Sequence, residues 1–168
     1  RFANSGTEAV MMALKAARAH TGRPKIAKCE GAYHGSYDYA EVSLDPAPEA
    51  WGRNAPVSVA YARGTPENVL ADVVTIPFND TEAAVSLIRE HGEELACVLV
   101  DPMPNRAGLA PADQAYLEAL RKVTREVGAQ AVRHRDQERL RRPVGARHRQ
   151  RREAGDARDD GDPAGRPS

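Results

Sequence analysis

The run Ala96-Cys97-Val98-Leu99-Val100 is apolar at every position and is followed at once by Asp101-Pro102. A strand with one wet face alternates polar and apolar residues, so an unbroken apolar run marks a strand covered on both faces. Such strands belong to parallel sheets, whose crossover connections lay helices above and below. The neighbouring text supplies matching pieces. Residues 81–91 read as a helix with Asp80 as N-cap, and 113–127 read as the kind of helix that feeds a crossover. Residues 25–30, 57–60 and 73–76 read as further strands, and 31–55 as a long loop. The expectation is an α/β fold built on a mainly parallel sheet with flanking helices.

The N-terminal text adds a chemical constraint. Asn4-Ser5-Gly6-Thr7-Glu8-Ala9 leads directly into a helix over 7–20, in which Val10, Ala13, Leu14 and Ala17 form one apolar face. Thr21-Gly22-Arg23-Pro24 ends that helix with a glycine and then a proline. A helix N-terminus offers unpaired backbone N–H groups and partial positive charge. A glycine admits an anion close to the backbone, and flanking hydroxyls add donors, so the run can cradle a phosphate. It reads equally as an ordinary cap, with Ser5 or Thr7 serving its own helix and Glu8 in the first turn.

Composition excludes several classes. The 168 residues suffice for one domain with a real core, and the formal net charge is zero, which favours neither nucleic acid nor a membrane surface. No apolar run approaches membrane-spanning length. The two cysteines, Cys29 and Cys97, sit far apart in apolar strand-like text without metal-ligand spacing, so free buried thiols in a reducing, cytoplasmic compartment are expected. Arg1 stands in mid-motif, so the chain reads as a piece of a longer domain.

Four motifs occur in order: Arg1-Phe2-Ala3-Asn4-Ser5-Gly6-Thr7-Glu8-Ala9, Glu30-Gly31-Ala32-Tyr33-His34-Gly35-Ser36-Tyr37-Asp38, Pro77-Phe78-Asn79-Asp80, and 98–108 with Asp101-Pro102-Met103-Pro104-Asn105-Arg106-Ala107-Gly108. Together they resemble the class III aminotransferases, which depend on pyridoxal 5'-phosphate (PLP) and include glutamate-1-semialdehyde aminomutase. The resemblance covers residues 1–128. It implies part of the large domain of the fold type I PLP-dependent transferases. It also implies an enzyme that moves an amino group between a small amino compound and a carbonyl substrate via a Schiff base, with a homodimeric parent.

The resemblance assigns the cofactor phosphate to Ser5, Gly6 and Thr7 and the stacking partner of the pyridine ring to Tyr33. By its residue type alone, Tyr33 would serve as well to anchor a loop by its hydroxyl. His34 either orients cofactor or substrate or is a hydrogen-bonded structural histidine. Asn79 either lies near the site, as in the family, or is a turn residue. Asp101, at the end of the buried strand, reads as a supporting residue. Neither the carboxylate that pairs with the ring nitrogen nor the Schiff-base lysine is matched. Lys15, Lys25, Lys28 and Lys122 all read as solvated surface residues, so the chain as it stands is expected to be inactive.

Composition breaks after Gly128-Ala129. Residues 129–168 are rich in Arg, Asp, Gly and Pro and lack aromatics, so disorder is expected over 133–168. The segment reads either as a basic arm for nucleic acid or, in preference, as a shifted reading frame of GC-rich DNA. Val132-Arg133-His134 can be encoded so that the next frame gives Phe-Asp, which the family carries on its next strand. A non-catalytic phosphate-binding α/β module is the other alternative function.

Overall fold

The computed structural model of the chain describes residues 2–51 and 55–133. The first helix, α1 (Gly6–Thr21), starts at Ser5, whose Oγ accepts from the Glu8 amide at 3.2 Å, while the Glu8 carboxylate accepts from the Asn4 amide at 2.7 Å. This reciprocal closure satisfies donors that the helix itself cannot. Gly22 ends α1 in the left-handed region (φ 71°), donating to the Arg18 carbonyl.

Strand β1 (Lys25–Cys29) follows, then α2 (Asp38–Glu41), α3 (Glu67–Ala71), β2 (Val73–Ile76), α4 (Thr81–Glu90), β3 (Leu95–Val100), α5 (Gln114–Val127) and β4 (Gln130–Arg133). Asp80 caps α4 by accepting from the Ala83 amide at 3.1 Å. The sheet order is β2-β1-β3-β4, and every pairing is parallel. Ile26 lies opposite Val73 on one side and Cys97 on the other, so β1 and β3 form the centre.

Alternate residues of the strands face two separate cores. Ala27, Cys29, Val74, Ile76, Val98 and Val100 pack under α4 and α5, against Ala84, Ile88, Tyr116, Leu120 and Val123. Ile26, Val73, Cys97 and Leu99 pack on the other face, against Val10, Leu14 and Ala17 of α1 and Ala40, Val42 and Val69. The result is three layers, helix on sheet on helix. Each fully buried Leu, Ile or Val contributes about 1.5–3 kcal/mol relative to exposure. Arg23 ties the ends of the layers together, donating to the carbonyls of Val127 (2.7 Å), Gly92 (3.1 Å) and Leu95 (3.3 Å).

Three expectations need correction. Residues 57–60 are not a strand. Val59 exchanges bonds with Ser43 alone, through the Ser43 amide (2.8 Å) and Ser43 Oγ (3.0 Å), and the left-handed backbone of Ser43 (φ 52°) does not continue a ladder. The stretch read as one loop, 31–55, contains α2 and a 3-10 turn at Pro48–Ala50. Strand β4 was not expected. It pairs Gln130–Arg133 with Cys97–Val100, so the sheet crosses the compositional boundary at 128/129. Its side chains are mostly exposed, so it carries no apolar run. The rest of the tail, from residue 134, lies outside the described residues.

Candidate functional site at the carboxyl edge of the sheet

In open parallel sheets, ligands collect at the carboxyl ends of the strands where the strand order reverses. Here β1 connects to β2 on one side and β3 to β4 on the other, so that point lies between β1 and β3. The segment leaving β1 carries Tyr33, His34, Gly35 and Ser36, and the turn leaving β3 carries Asp101.

The first of these segments meets the N-terminus of α1. The Ser36 amide donates to Thr7 Oγ1 at 3.2 Å. Gly35, at φ 90°, lies so close that a Cβ there would fall 2.7 Å from Thr7 Cα. Two motifs nearly thirty residues apart thus share one surface, with Gly35 required by both its backbone angle and its clearance. Ser5 Oγ and Thr7 Oγ1 each accept from a backbone amide, which leaves each hydroxyl its proton to donate. The Gly6 and Thr7 amides precede the first intrahelical donor, the Ala9 amide, which donates to the Ser5 carbonyl at 3.0 Å. Ser5 is exposed and Gly6 half-buried, so the capped terminus of α1 is open to solvent.

Tyr33 is 36% exposed, whereas His34 is fully buried. Asn79 lies in the turn after β2, in the left-handed region (φ 60°). Its Oδ1 accepts from the Asp113 amide at 2.9 Å and its Nδ2 donates to the Pro111 carbonyl at 3.2 Å. Both polar atoms of Asn79 are therefore engaged in fixing the approach to α5. Asp101 is buried and accepts from the Met103 amide at 2.9 Å, which shapes its own turn. Beside these residues, Glu30, Gly31, Asp45, Trp51 and Arg106 line a cleft of about 270 Å³, with Arg106 paired to Asp45 at 3.3 Å. Glu30 Oε1 is buried there with no hydrogen-bond partner among the described residues, and desolvation raises the Glu30 pKa.

The lysines separate. Lys15 and Lys122 are exposed on their helices. Lys25 pairs with Glu94 at 2.8 Å, half-buried. Lys28 contradicts the surface reading: it is 0% exposed, and Nζ donates to the carbonyls of Val42 (2.7 Å) and Cys29 (3.1 Å). It sits on the central strand, where the layers on both faces exclude water. Burial lowers its pKa from 10.5 to about 8. The only sequence signal was its place inside the apolar text Ile26-Ala27-Lys28-Cys29. Both cysteines are free and buried; burial raises the Cys29 thiol and pushes Cys97 up to about 12.

The family model for class III aminotransferases matches residues 1–132. The chain belongs to the class III aminotransferases. Among curated members of the family, it is 44% identical over 126 residues to the glutamate-1-semialdehyde 2,1-aminomutase of Methanothermobacter thermautotrophicus, covering 75% of this chain and 28% of that protein. Among solved structures, it resembles an omega-transaminase from Sphaerobacter thermophilus (54% identity, TM-score 0.76, 79% of this chain and 30% of that one). It also resembles a glutamate-1-semialdehyde aminomutase from Pseudomonas aeruginosa in complex with PMP (30% identity, TM-score 0.62, 76% and 26%). The chain therefore spans less than a third of each of these relatives. The α/β architecture with a parallel sheet is that of the fold type I transferases. Among the described residues, no helix is long and apolar enough to cross a membrane.

Proposed function

We propose that this chain supplies the phosphate-binding and ring-facing part of a PLP-dependent transferase, which moves an amino group between a small amino compound and a carbonyl compound. The contact of Thr7 with Gly35 and Ser36 carries this reading, because it joins a helix N-terminus bearing two hydroxyl donors to a loop bearing an exposed aromatic ring. Ser5, Gly6 and Thr7 hold the phosphate, and Tyr33 faces the ring plane. His34, fully buried next to Tyr33, fixes the loop beneath that ring. Asn79 acts at one remove, by setting the loop before α5. PLP, when bound, supplies an electron-withdrawing ring that stabilises negative charge at the amino-bearing carbon.

None of Lys15, Lys25, Lys28 and Lys122 is free at this edge to hold the cofactor covalently, so these 168 residues bind without turnover. In this reading the transferase segment runs to residue 132, past the 128/129 break in composition, because β4 pairs into its sheet and the family match extends that far. A homodimeric, cytoplasmic parent completes it, supported by exposed Trp51, Val57, Tyr61 and Leu109 and by two free buried thiols.

Titration of the chain with PLP and with inorganic phosphate tests the site. The expected result is tighter binding of PLP, weakened about fivefold by Tyr33→Ala because an aromatic stack contributes about 1 kcal/mol. Ser5→Ala weakens both ligands. Equal affinity for the two ligands, or indifference to Tyr33→Ala, overturns the reading.

A further inference from the structure

Lys28 is a buried ammonium on the central strand, and its two hydrogen-bond acceptors are neutral carbonyls. Taking a charge out of water is costly unless strong partners replace the hydration, and an apolar residue of similar length fills such a space at less cost. The position of its partners shows what the ammonium achieves. Cys29 is the next residue on β1, but Val42 lies at the far end of the segment that leaves β1. One residue on, the Ser43 carbonyl accepts from the Gly31 amide at 2.8 Å. The two bonds close residues 31–43 into a loop at its base.

The remaining anchors of that loop lie elsewhere. Ser43 Oγ accepts from Thr75 Oγ1 at 3.2 Å and donates to the Val57 carbonyl at 3.0 Å, which ties Ser43 to β2 and to the outer segment. Ser36 rests on Thr7. The Lys28 bond to the Val42 carbonyl instead fastens the returning end of the loop to β1 itself.

We infer that Lys28 is a positioning residue: its buried ammonium staples the Val42 end of the 31–43 loop to the end of β1 and so holds Tyr33 and His34 at the carboxyl edge of the sheet. The relevance of this staple to the cofactor rests on the function proposed above. The staple itself does not.

Hydrogen exchange on the full 168-residue chain tests it. Lys28→Met keeps the length of the side chain and removes the donors; Lys28→Gln restores one neutral donor. The Gly31 and Ser36 amides, bonded to Ser43 and Thr7, should exchange about tenfold faster in Lys28→Met, the scale set by losing one hydrogen bond from a charged donor. Amides of β3, α4 and α5 should keep wild-type rates, and Lys28→Gln should fall between. A loss only of global stability would speed every amide alike. That result, or unchanged rates at Gly31 and Ser36, overturns the inference. Should Lys28→Met fail to fold, Lys28→Gln against wild type carries the same comparison. In parallel, Lys28→Met should lower affinity for PLP severalfold and leave inorganic phosphate, which needs only the α1 terminus, unchanged. Local exchange at Gly31 and Ser36 in a protein that does not prefer PLP to phosphate would uphold the staple and defeat the cofactor reading alone.

Discussion

Gly35→Ala isolates the contact on which the site depends. Two penalties apply. An L-residue at φ 90° sits outside its ordinary backbone range, which costs on the order of 1–3 kcal/mol. The new methyl also meets Thr7, 2.7 Å from Cα and 2.9 Å from Cβ. Neither of these is the far end of a flexible side chain, so the loop must lift from α1, a strain of about 1–3 kcal/mol. The sum is about 2–6 kcal/mol. Gly31→Ala is the internal control: Gly31 has φ 69°, yet a Cβ there meets nothing within 4 Å. It pays only the backbone term, about 1–2 kcal/mol. Urea unfolding of the three proteins, followed by far-ultraviolet circular dichroism, gives the two differences directly. Gly35→Ala should lie about 2 kcal/mol below Gly31→Ala. Trimming Thr7 to Ala should not rescue it, because Thr7 Cα remains in the way. If the two alanine variants match within about 0.5 kcal/mol, the close packing of the loop on Thr7 is refuted.

Further predictions follow from single contacts. Ser5→Ala should cost about 1 kcal/mol in thermal or urea unfolding, the usual loss for an N-cap, whereas Ser5→Gly should cost a few tenths. Arg23→Met removes three hydrogen bonds to carbonyls that join α4, β3 and α5, and should cost about 2–3 kcal/mol by the same measurement. The pH dependence of Lys28 has a definite sign. Its folded pKa of about 8 lies below the ordinary 10.5, so between those values the unfolded chain binds more protons and stability rises with pH. Integrated over the window this amounts to about 3 kcal/mol. Cys29, Cys97 and Tyr116, all raised by burial, pull the other way above pH 9. The quantity to measure is therefore the stability of wild type minus Lys28→Met from pH 7 to 10.5, which should climb. A flat difference would mean that Lys28 keeps its ordinary pKa in the folded state, as a solvated lysine does.

The parts of the fold legible in the sequence were those where one local pattern had one physical meaning. The apolar run at 96–100 could be satisfied only by a strand covered on both faces, and β3 is that strand, buried at every position. Ser5, Asp80 and Gly22 marked helix ends because capping is a matter of a few adjacent atoms. Strand β4 escaped for the converse reason. Exposed at three of its four positions, it is a strand by virtue of its ladder to β3, and a ladder is not written in the composition of one partner. Residues 57–60 failed in the other direction: Val57-Ser58-Val59 has the right residue types, but the partner it finds is Ser43, at a backbone angle no strand can extend.

Lys28 shows the same limit at the level of the site. Its charge argued for solvent, and only its apolar neighbours argued against it, because the groups that hold it are backbone carbonyls, which every residue possesses. Val42 became its partner only once the 31–43 loop returned to β1, and that return depends on Ser43 reaching Thr75 and on Gly35 lying flat against Thr7. A motif can therefore name the residues that face a ligand, since their chemistry is particular, while the residues that aim them use generic groups and emerge only from the closed loop. For this chain the capped helix start at Ser5–Thr7, proposed above as the phosphate site, was readable from its residue types. The fixing of Tyr33 was not, because it is distributed over a glycine's missing Cβ, a lysine's buried charge and a serine's left-handed backbone. The Gly35→Ala and Lys28→Met variants test those two contributions separately: the first acts at the tip of the loop and the second at its base. If both loosen the Ser36 amide while only Gly35→Ala disturbs the end of α1, the loop is held independently at tip and base.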